Sequence, residues 1–287
     1  MHGLVYPEPN RSHFKSISLW ESGGDGRRPG RDGWITHDIE HQLSRAVADA
    51  HGISLAGSDS LFKSDTGRWM SMKSALSFAR SRVPADTGGS AASNTLAMIA
   101  RWGRVLESMT DGMGAKISRV PRPPALEGGP LGRQLTEVLH LIRGGVDTPV
   151  YRVQLGGFDT HENQASRQAK LLATLGSALT SFADTLRADG EWNETLITTY
   201  SEFGRRAAEN VSGGTDHGTA SPHLVLGGAV AGGLFGTPPD LGNLVDGDPT
   251  FTLDYRTLYE RVLSDWLGIE DNRHASYRGA GLASLIT

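Results

Sequence analysis

The sequence predicts an α/β fold, layered and with parallel strand pairing. Two observations lead there. From Pro130 onward, amphipathic helical runs alternate with short apolar, strand-like runs, and strands separated by helices pair in parallel. Two of those strand runs then stop abruptly in glycines, acids and histidines. The carboxyl ends of neighbouring strands are where an open α/β sheet assembles a site.

Taken in order, Phe14, Ile17 and Trp20 recur at helical spacing and predict a short helix starting near Ser12. The Ser12 hydroxyl would stand at the positively polarised end, where an anion can bind. Capping by Asn10 or Ser12 is the competing reading. Gly23 to Gly33 reads as a loop, and a helix is expected from Trp34 to Ala50 with Ile39, Leu43 and Val47 on one face. His37, His41 and His51 lack the glutamate spacing of a zinc-protease motif and read as solvated.

Residues 53–129 read as an irregular insertion or cap region, with a strand at Ile53 to Ala56 and a helix from Asn94 to Met109. Asp111-Gly112-Met113-Gly114 reads as the glycine cap closing that helix, and the prolines between Arg119 and Gly129 as a loop. Leu131, Leu135, Val138, Leu139 and Ile142 then mark a helix face that Gly144-Gly145 stops. Thr148 to Leu155 is a strand. The following helix, Asn163 to Ala188, presents Leu171, Leu172, Leu175, Leu179, Phe182 and Leu186 to a sheet. Thr195 to Tyr200 and His223 to Gly227 are further strands. A last helix, Asp254 to Leu267, buries Tyr255, Leu258, Val262, Leu263 and Trp266, and the tail after Gly268 is expected to be peripheral.

Composition narrows the function. A net charge of −4 offers no electrostatic footprint for nucleic acid or an anionic membrane. With no cysteine in the 287 residues, any metal must sit on oxygen and imidazole. No apolar run approaches the roughly 20 residues of a membrane span, and the start lacks the order of a signal peptide. Arg27-Arg28 is followed by Pro29-Gly30, which defeats a twin-arginine reading. As written, the chain is expected in the cytoplasm.

The site is expected where the strand runs end. Asp159 and His161 are two apart, so on extended chain both project to one side of the sheet. Glu202 closes the next strand, and Asp216 with His217 follows in a glycine-flanked loop. These five donors are candidates for one or two divalent metals: zinc first, with calcium, manganese or magnesium as alternatives. Such an ion polarises a phosphoryl or sulfuryl oxygen and activates a water or serine hydroxyl. The competing reading has the acids capping helices and the histidines bonding backbone. Arg205 is a candidate anion ligand, or simply the salt-bridge partner of Glu202.

At these residues a resemblance emerges. Gly156-Gly157-Phe158-Asp159-Thr160-His161-Glu162-Asn163-Gln164, Ser201-Glu202-Phe203-Gly204-Arg205-Arg206, Gly213-Gly214-Thr215-Asp216-His217-Gly218 and Asp254-Tyr255-Arg256 strongly resemble the bacterial domain-of-unknown-function 1501 family. The likeness runs from Asn10-Arg11-Ser12-His13-Phe14 to Gly268. That family is placed in the alkaline phosphatase and sulfatase-like superfamily. The superfamily implies one alkaline phosphatase-like domain over residues 1–287, a doubly wound, mostly parallel sheet flanked by helices, with metals at the strand ends. By similarity of position, Ser12 corresponds to the nucleophile. Asp159 and His161 resemble ligands of one metal, Glu202 an acidic ligand of the other, and His217 the last histidine ligand. Phe203 stands where a histidine is expected.

Full-length members open with an export signal and a first strand whose loop carries a metal-binding aspartate. This chain therefore reads as an N-terminally truncated member, periplasmic or exported if such a signal precedes Met1. The expected function is a metal-dependent hydrolase or transferase of phosphate or sulfate esters. Ser12 would attack a small anionic ester while Arg205 or Arg11 steadies the anion. The alternative is a non-catalytic relative that binds a metal or anionic ligand as an accessory or envelope protein.

Overall fold

The computed structural model describes residues 1–43, 49–57, 61–64, 68–75, 77, 109–250, 252–270, 282 and 284–287. They form a mixed α/β protein with two apolar cores.

The first core gathers strand β1 (Leu4–Val5), which pairs in parallel with β9 (Leu253–Asp254), and helix α1 (His13–Ser22). The buried face of α1 is Ser16, Leu19, Trp20 and Glu21. Phe14, expected on that face, is 88% exposed. A buried serine hides the true stripe: the Ser16 hydroxyl meets the Tyr6 hydroxyl at 2.8 Å and the Asn10 carbonyl at 3.0 Å, so burial leaves it satisfied. Gly23, at φ 68°, ends the helix with the left-handed turn that glycine adopts without strain.

Glu21 fastens α1 to the sheet ends. Arg152 Nη2 donates to Glu21 Oε1 at 3.0 Å, Arg152 Nε to the Tyr200 hydroxyl at 2.9 Å, and Tyr200 to Glu21 at 3.1 Å. Burial of two charges is tolerable because each faces the other and a hydroxyl.

A short helix, α2 (Thr36–Asp38), continues through a π-type turn at Ile39–Leu43. Residues 44–48 of the helix expected here lie outside the described set, and the chain at Asp49 and Ala50 is not helical. His51 is buried, with its Nδ1 accepting the Arg68 amide at 3.1 Å, and is not solvated as expected.

The second core lies around a three-stranded parallel sheet in the order β3 (Trp69–Ser71), β2 (Gly52–Ser54), β4 (Tyr151–Arg152). Residues 53–129 were expected as an insertion or cap, yet β2 runs through the middle of this sheet. Residues 109–117 are helical (α3) and bury Met109, Met113 and Ile117, so Asp111 to Gly114 lies within a helix and does not cap one. Core contact of the two methionines outweighs the glycine penalty of about 1 kcal/mol each. Residues 94–108 of the helix expected from Asn94 to Met109 lie outside the described residues.

Helices α4 (Gly129–Arg143) and α5 (Gln164–Asp189) cover this core. The Leu135, Val138 and Leu139 stripe of α4 is buried. In α5 only the second half is: Ala178, Leu179, Phe182, Ala183 and Leu186 pack inward, while Leu172 is 52% exposed.

Strand β5 (Leu196–Thr198) pairs with β6 (Val225–Gly227) antiparallel, not parallel as expected. The reason is local: residues 199–224 contain no helix, so the chain doubles back instead of crossing over. A hairpin of β7 (Leu244–Val245) and β8 (Asp248–Pro249) follows, then helix α6 (Arg256–Arg261), extended by a π-type turn at Val262–Trp266. The tail is not peripheral: Leu282, Leu285 and Ile286 are buried in the first core. Among the described residues the strands form four small sheets, not the single doubly wound sheet implied by the resemblance. No helix among them is long and apolar enough to cross a membrane.

Candidate functional site

Four segments meet at one end of the sheets: the start of α1, the 156–161 loop after β4, the 200–206 segment after β5, and the 213–218 loop. Glycines let them interlock. A Cβ on Gly214 would lie 2.2 Å from the His161 carbonyl carbon, and one on Gly204 2.0 Å from the Ala220 oxygen. Asn210 locks the contact, donating from Nδ2 to the His161 carbonyl at 2.9 Å and accepting the Gly214 amide at 3.0 Å.

The centre is Asp159. Its Oδ1 lies 2.8 Å from His161 Nε2, 3.0 Å from His217 Nε2 and 2.8 Å from Arg205 Nη1. The two Nε2 atoms stand 2.9 Å apart. On the other oxygen, Asp159 Oδ2 faces His13 Nε2 at 3.3 Å.

Each imidazole is held at its opposite nitrogen by an acceptor. His217 Nδ1 meets the Arg11 carbonyl at 2.9 Å, His161 Nδ1 meets Asp216 Oδ1 at 3.3 Å, and His13 Nδ1 meets Glu202 Oε2. A carbonyl or carboxylate can only accept, so Nδ1 carries the proton in all three rings. When the rings are neutral, every Nε2 turns a bare lone pair toward Asp159. Three such nitrogens around a carboxylate repel one another unless a proton or a cation lies between them. Imidazoles aimed by one nitrogen and anchored by the other at a carboxylate or carbonyl are the arrangement that metal sites use. The donor set therefore fits a metal of the zinc type, for which nitrogen ligands are favoured, better than calcium or magnesium, which prefer oxygen.

Electrostatics favour an ionised centre. Burial pushes the Asp159 carboxyl up, but the hydrogen bond from Arg205 and, when the imidazoles are doubly protonated, the hydrogen bond from His217 and the charges of His161 and His217 outweigh it and hold the pKa at about 2. The His161 hydrogen bond, with one from Asn210, lowers Asp216 as well. Phe203 occupies no ligand position: its ring stacks on His217 at 4.1 Å and lies 5.0 Å from His13, an apolar floor under both imidazoles.

Of the expected site residues, Asp159, His161 and His217 come together at their donor atoms. Glu202 and Asp216 stand one step outside, each on the Nδ1 of a histidine. Arg205 is turned to Asp159 and to Thr215, whose hydroxyl it meets at 3.1 Å and whose carbonyl it also binds. It therefore orients the carboxylate. The arginines that line the open depression beside the cluster, about 370 Å³ in volume, are Arg11 and Arg206, together with His161, Asp216 and His217.

Ser12 is exposed at the start of α1 and makes no side-chain cap. Its neighbours on both sides, Arg11 and His13, touch the cluster. His13 is the residue that sequence reasoning missed. Its signal was its place beside Ser12, ahead of a helix, in a segment otherwise read for its hydroxyl.

The fold and site thus define a mixed α/β protein with a histidine and carboxylate cluster at its strand ends. The chain belongs to the family described as "Protein of unknown function (DUF1501)", whose model matches residues 133–278. No curated protein and no solved structure matched the chain.

Proposed function

We propose that the protein is a metal-dependent hydrolase or transferase acting on phosphate or sulfate esters, with Ser12 as nucleophile. The observation that carries the reading is the convergence of His161 Nε2, His217 Nε2 and Asp159 Oδ1 within 3.0 Å of one another, beside a depression lined by two arginines. The resemblance to the alkaline phosphatase and sulfatase-like superfamily supports the same chemistry. A divalent cation held by Asp159, His161 and His217, with His13 at their edge, would polarise an ester oxygen and lower the pKa of a nearby hydroxyl.

The chain's own residues divide the remaining work. Arg11 and Arg206 hold the anionic group, and the amino end of α1 adds its dipole. Asp216, Glu202 and the Arg11 carbonyl fix the histidine tautomers, while Arg205 keeps Asp159 ionised and oriented. The Ser12 oxygen forms a bond to phosphorus or sulfur as the ester oxygen departs with a proton. Water or an acceptor alcohol then takes the group from the serine.

A second reading, a non-catalytic relative that binds metal or anion, draws on one observation. Among the described residues no side chain hydrogen-bonds the Ser12 hydroxyl, so no protein base stands ready to activate it. Metal analysis followed by a phosphatase and sulfatase screen on wild type and Ser12→Ala separates the two. Bound metal with turnover lost in Ser12→Ala supports the enzyme, and bound metal without turnover supports the second reading. Failure to bind any divalent metal sinks the enzyme and the metal-binding form of the second reading, and leaves only an anion-binding relative.

A further inference from the structure

We infer that Asp248 is a positioning residue for the anion site: it stays out of contact with substrate and sets Arg11 and Arg206 as the two jaws that grip the phosphate or sulfate head. The inference rests on the functional reading above and names the group that organises its anion binding.

A tight turn decides where Asp248 stands. Asp246 and Gly247 have φ of 52° and 78°, the pair of left-handed residues that a two-residue hairpin loop needs and that Asp-Gly supplies readily. The loop sets Val245 opposite Asp248 and Leu244 opposite Pro249. The Thr219 hydroxyl, two residues beyond His217, donates to the Pro249 carbonyl at 2.9 Å and ties this hairpin to the segment that carries the site.

Held there, Asp248 is only 3% exposed, and its two oxygens face the two arginines that line the depression. Oδ2 accepts from Arg11 Nη2, while Oδ1 lies 3.9 Å from Arg206 Nε. That gap is beyond hydrogen-bond reach, and among the described residues the buried Oδ1 accepts no hydrogen bond. A buried carboxylate oxygen without a donor is costly. Tying the hairpin to Arg11 needs one oxygen; the other is turned toward Arg206, whose guanidinium makes no hydrogen bond among the described residues.

A shift of about 1 Å brings Arg206 Nε onto Oδ1 and satisfies that oxygen. The terminal amino groups of Arg206 then remain for the anion, as do the Arg11 donors other than Nη2. A carboxylate shared by both arginines also offsets their mutual repulsion, so the two can face one tetrahedral head. Asp248 thus acts on the substrate only through Arg11 and Arg206.

The test is calorimetry of zinc-loaded protein with inorganic phosphate. Asp248→Asn should bind phosphate about tenfold more weakly, the effect of one lost charge-assisted hydrogen bond. The sign is decisive, because removing a negative charge near an anion site tightens binding if Asp248 acts only through its field, and loosens it if Asp248 holds the arginines. Asp248→Glu keeps the charge but displaces the oxygens by one methylene; it should weaken phosphate too, and it carries the test if Asp248→Asn does not fold. Zinc affinity, measured by chelator competition without phosphate, should be unchanged in both. Phosphate bound as tightly as by wild type, or tighter, overturns the assignment and leaves the anion site standing. Failure of both variants to fold, or a parallel fall in zinc affinity, makes Asp248 a support of the whole fold and overturns it as well. If zinc-loaded wild type binds no phosphate, the functional reading fails and this inference with it.

Discussion

His161 Nε2 and His217 Nε2 stand 2.9 Å apart, and with both Nδ1 atoms bonded to acceptors neither neutral ring has a proton to place between them. A cation relieves that repulsion directly. Zinc should therefore bind stoichiometrically at neutral pH and raise the melting temperature, and a chelator should reverse the rise. His161→Ala and His217→Ala should each abolish stoichiometric zinc in elemental analysis. Zinc retained by both variants would falsify the site.

The carboxylates behind the rings act through orientation. Glu202→Ala and Asp216→Ala should weaken zinc about 10- to 100-fold, the usual effect of removing the group that anchors a ligating histidine. Competition against a chromogenic chelator measures it. Complete loss in either variant would instead make that carboxylate a direct ligand.

Gly214 carries the site's backbone contact. Because a Cβ there would sit 2.2 Å from the His161 carbonyl carbon and 2.4 Å from its oxygen, both backbone atoms, Gly214→Ala must push the 213–218 loop away from the 156–161 loop. Zinc affinity and melting temperature should fall together. Normal zinc binding in this variant would contradict the interlock.

His223 makes the fold sensitive to acid. Its ring is buried between the Thr199 carbonyl, at 3.0 Å from Nδ1, and the Ser221 hydroxyl, at 2.8 Å from Nε2. Burial pushes its pKa from 6.5 down to about 4. Between those values the unfolded chain binds a proton that the folded chain does not, so stability is lost as pH falls from about 6.5 toward 4. The whole contribution is roughly 3 kcal/mol. Urea titrations at pH 7 and pH 4.5 should show His223→Gln losing less stability across that interval than wild type. Parallel pH profiles would refute the assignment.

Glu21 is the acidic half of a buried pair. Glu21→Gln leaves the buried Arg152 charged, facing a neutral amide where a carboxylate stood. The expected loss is about 3–5 kcal/mol in urea unfolding. A loss below about 1 kcal/mol would mean that water reaches the pair.

Much of the architecture from Gly129 on is legible in local pattern. Helices α4 and α5, and α6 together with its π-type extension to Trp266, start and stop near the expected residues, because long apolar periodicity and glycine caps act within a few residues of chain. The donor types at 159, 161, 202, 216 and 217 could be read too, since metal chemistry without cysteine admits few side chains.

Tertiary contact decided the rest. Which face of α1 is buried depends on Tyr6 reaching Ser16, and the antiparallel turn from β5 to β6 depends on a helix-free loop that carries the site. The roles of the donors also depended on folding. Only the closed chain brings Arg11 to His217 across 206 residues and His13 to Glu202 across 189, and so separates the nitrogens that face Asp159 from the acids that anchor them. Local pattern supplies residue types and element ends. Contacts between distant segments set which atom of each side chain points where, because a lone-pair direction is fixed only when the far side of the ring is bonded.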